Sequence, residues 1–70
     1  MKKYLVIYEK TGTGYSAYVP DLPGCVTTGA SLDETKRNMH EAISGHIQSM
    51  KDHGEIVPEP TTVAAEQMAV

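Results

Sequence analysis

Apolar and polar positions divide this chain into four patterned segments and a tail. Residues 3–9 place Tyr4-Leu5-Val6-Ile7-Tyr8 between Lys3 and Glu9, a β-branched and aromatic run that predicts a strand. Lys10-Thr11-Gly12-Thr13-Gly14 is a turn signal, and residues 15–19 predict a second strand, antiparallel to the first. With Glu9 set opposite Tyr15, Ile7 faces Ala17 and Leu5 faces Val19. That register sends Leu5, Ile7, Ala17 and Val19 to a core face. Tyr4, Val6, Tyr8, Ser16 and Tyr18 fall on the other face, which therefore carries three of the four tyrosines.

Pro20-Asp21-Leu22-Pro23-Gly24 forces the chain to turn, because two prolines this close cannot sit in a central strand. Residues 25–29, rich in Val and Thr, predict a third strand. Ser31-Leu32-Asp33-Glu34 matches a capping box, with two acids in the first helical turn. A helix over residues 32–52 then carries Leu32, Thr35, Met39, Ala42, Ile43, Ile47 and Met50 as one apolar stripe. Gly45, inside it, calls for close packing as its reason, since glycine there costs about 1 kcal/mol against alanine. Lys51, His53 and Gly54 form a stop signal. Residues 55–60 must be extended around Pro58 and Pro60. The last ten residues fit a helical turn or a short closing strand, with the strand preferred.

The order predicts an α+β fold in one domain over residues 1–70. It is a three-stranded antiparallel meander, one crossover helix and a short final strand (β-β-β-α-β) parallel to the first strand. The sheet order becomes 3-2-1-4 with the first strand central. One helix covers one face, so the tyrosine face is left for a protein partner.

Length and charge narrow the function. A 70-residue chain buries only about 60% of its unfolded surface, and burial and chain ordering then nearly cancel. Such a chain needs a disulfide, a metal or a partner subunit. One cysteine excludes an internal disulfide and a cysteine-rich zinc site, which points to a partner: a homodimer or another protein. Six Lys and Arg against nine Asp and Glu give a net charge of −3. There is no basic stripe, so no direct nucleic-acid binding by this chain alone is expected. No apolar run approaches the roughly 18 residues of a membrane span, and Met1-Lys2-Lys3 is followed by too short an apolar run for a signal peptide. The expected location is the cytoplasm, with Cys25 a reduced thiol.

Candidate chemistry is thin. Two-metal catalysis needs converging carboxylates, and the first strand has none between Tyr4 and Tyr8. His46 and His53 stand about 10 Å apart along a helix rising 1.5 Å per residue, too far to share an ion. Cys25 lacks a histidine signal beside it and reads as a packing residue. Thr11-Gly12-Thr13-Gly14 lacks the Gly-Lys-Ser/Thr of a phosphate loop. No metal, cofactor or catalytic residue is expected. Asp21 has two readings: a contact to a basic protein, or an Asx-type cap of its own turn. Tyr8 and Tyr18 divide between partner contacts and ordinary sheet packing.

The stretch Tyr15-Ser16-Ala17-Tyr18-Val19-Pro20-Asp21-Leu22-Pro23-Gly24-Cys25-Val26-Thr27-Thr28-Gly29 resembles the signature of the HicB family of antitoxins. Ser31-Leu32-Asp33-Glu34, Glu41-Ala42 and Gly54-Glu55-Ile56-Val57-Pro58-Glu59-Pro60 continue the resemblance, which covers most of residues 3–60. It departs at Thr35-Lys36, where an apolar pair is expected. The resemblance implies a degenerate ribonuclease H-like fold without nuclease activity. It also implies a role in a type II toxin–antitoxin system: binding and occluding a HicA-like toxin, a small mRNA-cleaving protein. Many family members carry a second, DNA-binding domain after this one. The chain stops about ten residues beyond Pro60, which matches a short form without it.

The expected toxin-binding residues are Tyr8, Tyr18, Asp21, Leu22, Asp33 and Glu34. Aromatic residues would supply buried area and acids would supply attraction to a basic toxin. The alternative reading is a free-standing homo-oligomeric domain without a toxin partner, and a small enzyme ranks last.

Overall fold

The computed structural model describes residues 2–70. Strand β1 runs Ile7–Lys10, β2 Tyr15–Tyr18 and β3 Val26–Gly29, followed by helix α1, Leu32–Asp52. The strands form an antiparallel meander in the order β1-β2-β3. The α1 helix lies across β3 and β2 and does not come over β1.

The hairpin register differs from the expected one by one residue. The Thr11 N–H donates to the Gly14 carbonyl at 2.8 Å, and Thr11 Oγ1 accepts the Gly14 N–H at 3.0 Å. These bonds close a four-residue loop, so Lys10, not Glu9, pairs with Tyr15. A one-residue slip moves every side chain of a strand to the other face. Ile7 therefore pairs with Tyr18, and Tyr8 with Ala17. Tyr4, Val6 and Tyr8 pack against the core, and the expected tyrosine face is divided between the two sides of the sheet. Tyr8 of β1, with Tyr4 and Val6 just before the strand, supplies the side chains that reach the core from this edge.

The core is Ala17, Val19, Leu22, Cys25 and Met39, with Ala42, Ile43 and Ile47 of the helix beside them. Thr35 is fully buried where an apolar residue is expected. Its hydroxyl is satisfied by donating to the Ser31 carbonyl at 2.7 Å. Its close approach requires glycine at position 29, where a Cβ would stand 2.5 Å from Thr35 Oγ1 and 2.8 Å from its main-chain nitrogen. Strand β3 thus comes into direct contact with the first turn of the helix.

The helix boundaries agree with the sequence pattern because both caps form. Ser31 Oγ accepts the Glu34 N–H at 3.1 Å, and the Glu34 carboxylate accepts the Ala30 N–H. At the other end Gly54 takes a φ of +69°, while Gly54 and Glu55 donate to the carbonyls of Lys51 and Met50. That is a Schellman termination. Gly45 has open space around it, so close packing does not account for it.

The expected fourth strand is not formed. Residues 55–70 have no regular secondary structure. They pass the free edge of β1 in the expected parallel order, with Pro60, Thr62 and Val63 beside Lys3–Leu5, and Ala65–Gln67 beside Val6–Tyr8. Residues of both segments line clefts of about 290 and 490 Å³. The tail is held by side chains instead of a ladder. The Tyr4 hydroxyl donates to the Pro58 carbonyl at 2.5 Å, Lys2 pairs with Glu59 at 3.1 Å, and Asp21 binds Thr61 and Thr62. Beyond Thr62 every residue is exposed. Strand β1 is therefore an edge, not the centre of the sheet. Of the expected ribonuclease H-like order, the meander and the helix are formed among the described residues.

Candidate functional site

The turn after β2 sorts its residues inward and outward. The Leu22 N–H donates to the Val19 carbonyl at 3.1 Å, and the Cys25 N–H to the Leu22 carbonyl at 3.0 Å. Pro23 and Gly24, the latter at φ +83°, occupy the central positions of the second turn, as a type II turn requires. Leu22, one of the expected contact residues, is directed inward and is fully buried. It is a core residue, unavailable to a partner.

Asp21 is directed the other way, and its hydrogen bonds are not those of a cap on its own turn. Its Oδ2 accepts the N–H groups of Thr61 and Thr62 at 3.1 and 2.9 Å. Its Oδ1 accepts their hydroxyls at 3.1 and 3.0 Å. The Thr62 N–H leads these donors in holding the carboxyl below its ordinary 3.8, against the opposing effect of desolvation. Asp21 is an internal clasp that fastens the tail to the turn.

The open face of the sheet carries a lateral row, Ile7 opposite Tyr18 opposite Val26. Tyr18 is 41% exposed and Val26 64%. The next row is polar: Glu9, Ser16 and Thr28. Alternation along each strand puts both rows away from α1. Tyr8 is not in this group, since it lies on the core side. Of the expected acids, Asp33 is exposed in the first turn of α1, on the covered side of the sheet, and Glu34 is occupied in capping. The six expected contact residues are thus dispersed, and Tyr18 alone stands on the open face. Ile7 was missed because its place on this face depends on a hairpin register that apolar patterning left ambiguous, and Val26 because it comes to the face through the β2–β3 pairing.

Nothing in the arrangement points to catalysis. A cleft of about 500 Å³ is lined by Thr11, Thr13, Tyr15, Thr28, Glu34 and Asn38 among others, and its carboxylate is the capping Glu34. Cys25 is buried, and burial pushes its thiol up, away from the nucleophilic thiolate. Among the described residues no three His, Cys, Asp or Glu side chains cluster as metal ligands. No helix among them is long and apolar enough to cross a membrane.

A family model for the HicB-like antitoxins of bacterial toxin–antitoxin systems matches residues 4–69. A UPF0150 protein of Thermoplasma acidophilum is 46% identical over 57 residues, covering 80% of this chain and 83% of that one. A 14.9 kDa protein from the rep–hol intergenic region of Haemophilus phage HP1 is 40% identical over 60 residues. The match covers 86% of this chain but only 45% of the phage protein. Among solved structures, a chain of the HicA3 and HicB3 toxin–antitoxin complex superposes with a TM-score of 0.76 at 30% identity. That match covers 86% of this chain and 70% of the other.

Proposed function

The chain belongs to the HicB-like antitoxins of bacterial toxin–antitoxin systems, and from that premise we propose that it neutralises a HicA-like, mRNA-cleaving toxin by covering it. Antitoxin domains of this kind are not enzymes, so inhibition here is occlusion. One observation carries the reading to a place on the molecule: the row Ile7–Tyr18–Val26 on the side of the sheet away from the helix, with Tyr18 and Val26 exposed. It lies in a chain similar to one solved within a HicA3 and HicB3 complex.

Tyrosine buries a large area while keeping one polar end, which suits the centre of an interface. Leu22 and Tyr8 leave the proposed site because they belong to the core side, and Asp21 and Glu34 because their carboxylates are already bound. Asp33 and the net charge of −3 act at longer range, drawing in a basic RNA-binding protein and raising its association rate.

The test is co-expression with a HicA-like toxin, scoring co-purification and protection of RNA. Tyr18→Ala is expected to lose capture and protection with its thermal transition unchanged. Gln48→Ala, on the exposed side of α1, is expected to retain both. Equal capture by the two variants, or no capture by the natural chain, contradicts the reading.

A further inference from the structure

The segment Tyr4-Leu5-Val6 has an unusual position. It continues β1 past the point where β2 ends, because the chain turns away at Pro20. Among the described residues its main chain is hydrogen-bonded on neither side. Yet all three residues are half-buried, and Tyr4 and Val6 pack against the core. Polar main-chain groups in such a setting require partners. The helix does not extend over β1, so Tyr4, Val6 and Tyr8 are also only partly covered.

The order of residues along this edge is self-complementary. Reversed about Val6, residues 3–9 set Lys3 against Glu9, Tyr4 against Tyr8, Leu5 against Ile7, and Val6 against itself. Opposite charges meet opposite charges, aromatic meets aromatic and aliphatic meets aliphatic, as favourable cross-strand pairs require. A twofold axis through Val6 produces each unlike pair twice, which is the signature of an isologous contact. We propose that the free edge of the first strand is the site at which a second copy of this chain pairs, antiparallel and centred on Val6. Two three-stranded sheets then become one of six strands. The Tyr4, Val6 and Tyr8 side chains of the two copies close over each other where the helices do not reach. The tail is the competing occupant of the edge. It is fastened beside the edge by the side chains of Lys2, Tyr4 and Asp21 but hydrogen-bonded to none of the main chain of β1, so pairing with a second copy requires residues 60–67 to move aside.

The proposal is independent of the toxin reading, and its test uses this chain alone. Lys3 and Glu9 are exposed, so exchanging their charges leaves the core intact. Light scattering and sedimentation over a dilution series compare the natural chain with Lys3→Glu, Glu9→Lys, the double variant and an equimolar mixture of the two single variants. Each single variant places like charges opposite each other twice, and the dimer dissociation constant is expected to rise by about tenfold or more. The double variant is expected to dimerise like the natural chain. The mixture is expected to form a heterodimer, because one variant carries acids at both positions 3 and 9 and the other carries lysines at both, so opposite charges meet again. A natural chain that stays monomeric at all concentrations, as when its own tail fills the edge, overturns the proposal. So do single variants that dimerise normally, or a mixture that stays monomeric.

Discussion

On the helix side of the sheet, Ala17, Val19, Leu22 and Cys25 close against Met39, and a threonine hydroxyl at their border finds an internal acceptor. On the other side Ile7, Tyr18 and Val26 stand in a row away from the helix, Tyr18 and Val26 exposed and Ile7 half-buried beside the tail. The same strands build both surfaces, and alternation decides which residue goes where. The covered side holds the fold together. The open side is free of that duty, so its residues can be chosen for a partner. Substitutions on the two sides should therefore separate stability from binding.

The largest effect belongs to the covered side. Leu22→Ala removes a fully buried side chain and is expected to cost about 2–5 kcal/mol of folding stability. Denaturant titration measures it, and a loss under about 1 kcal/mol would place Leu22 outside the core. Gly29→Ala should follow, since its Cβ would press on the Thr35 main chain and hydroxyl. Overpacking of this kind costs about 1–3 kcal/mol. Gly45→Ala sharpens the comparison from the opposite sign: the residue faces open space, so alanine should stabilise the helix by about 1 kcal/mol. In a chain this small, that raises the melting temperature by roughly 4–8 °C. The smallest effect concerns the clasp. Asp21→Asn should leave the melting temperature almost unchanged while amide exchange at Thr61 and Thr62 quickens. The folded-state pKa of Asp21 lies below its usual 3.8, so the clasp is fully formed at neutral pH. It should be lost only as pH falls through that lowered value. Release of the tail near neutral pH would contradict the assignment.

Much of this was legible in the residues, and the failures have identifiable physical causes. The helix from Leu32 to Asp52 was readable at both ends because its stops are local chemistry: Ser31 and Glu34 at one, Gly54 at the other. The Pro-Gly turn was readable for the same reason. The hairpin register was not, since Tyr4-Leu5-Val6-Ile7-Tyr8 is apolar at every position and alternation gives no preference. The bonds of Thr11 to Gly14 decided it. That single slip separated Tyr8 from Tyr18 and brought Ile7 opposite Tyr18. The role of Asp21 was beyond reach because its partners lie some forty residues away, as the separation of 40 to Thr61 records. The fourth strand failed for a related reason: its direction past β1 was right, but side-chain anchors hold the tail in place of a ladder.

The central claim is that the toxin is held on the open face of the sheet. The most direct measurement is a calorimetric titration of the toxin into two variants that carry the same new charge on opposite sides of the molecule, Val26→Arg and Gln48→Arg. Val26 is 64% exposed, so an arginine there is tolerated by the fold. The account predicts that Val26→Arg weakens binding by about thirtyfold or more, the equivalent of a central contact worth about 2 kcal/mol, while Gln48→Arg binds as the natural chain does. Unchanged binding by Val26→Arg, or a comparable loss with Gln48→Arg, would place the toxin on the other side.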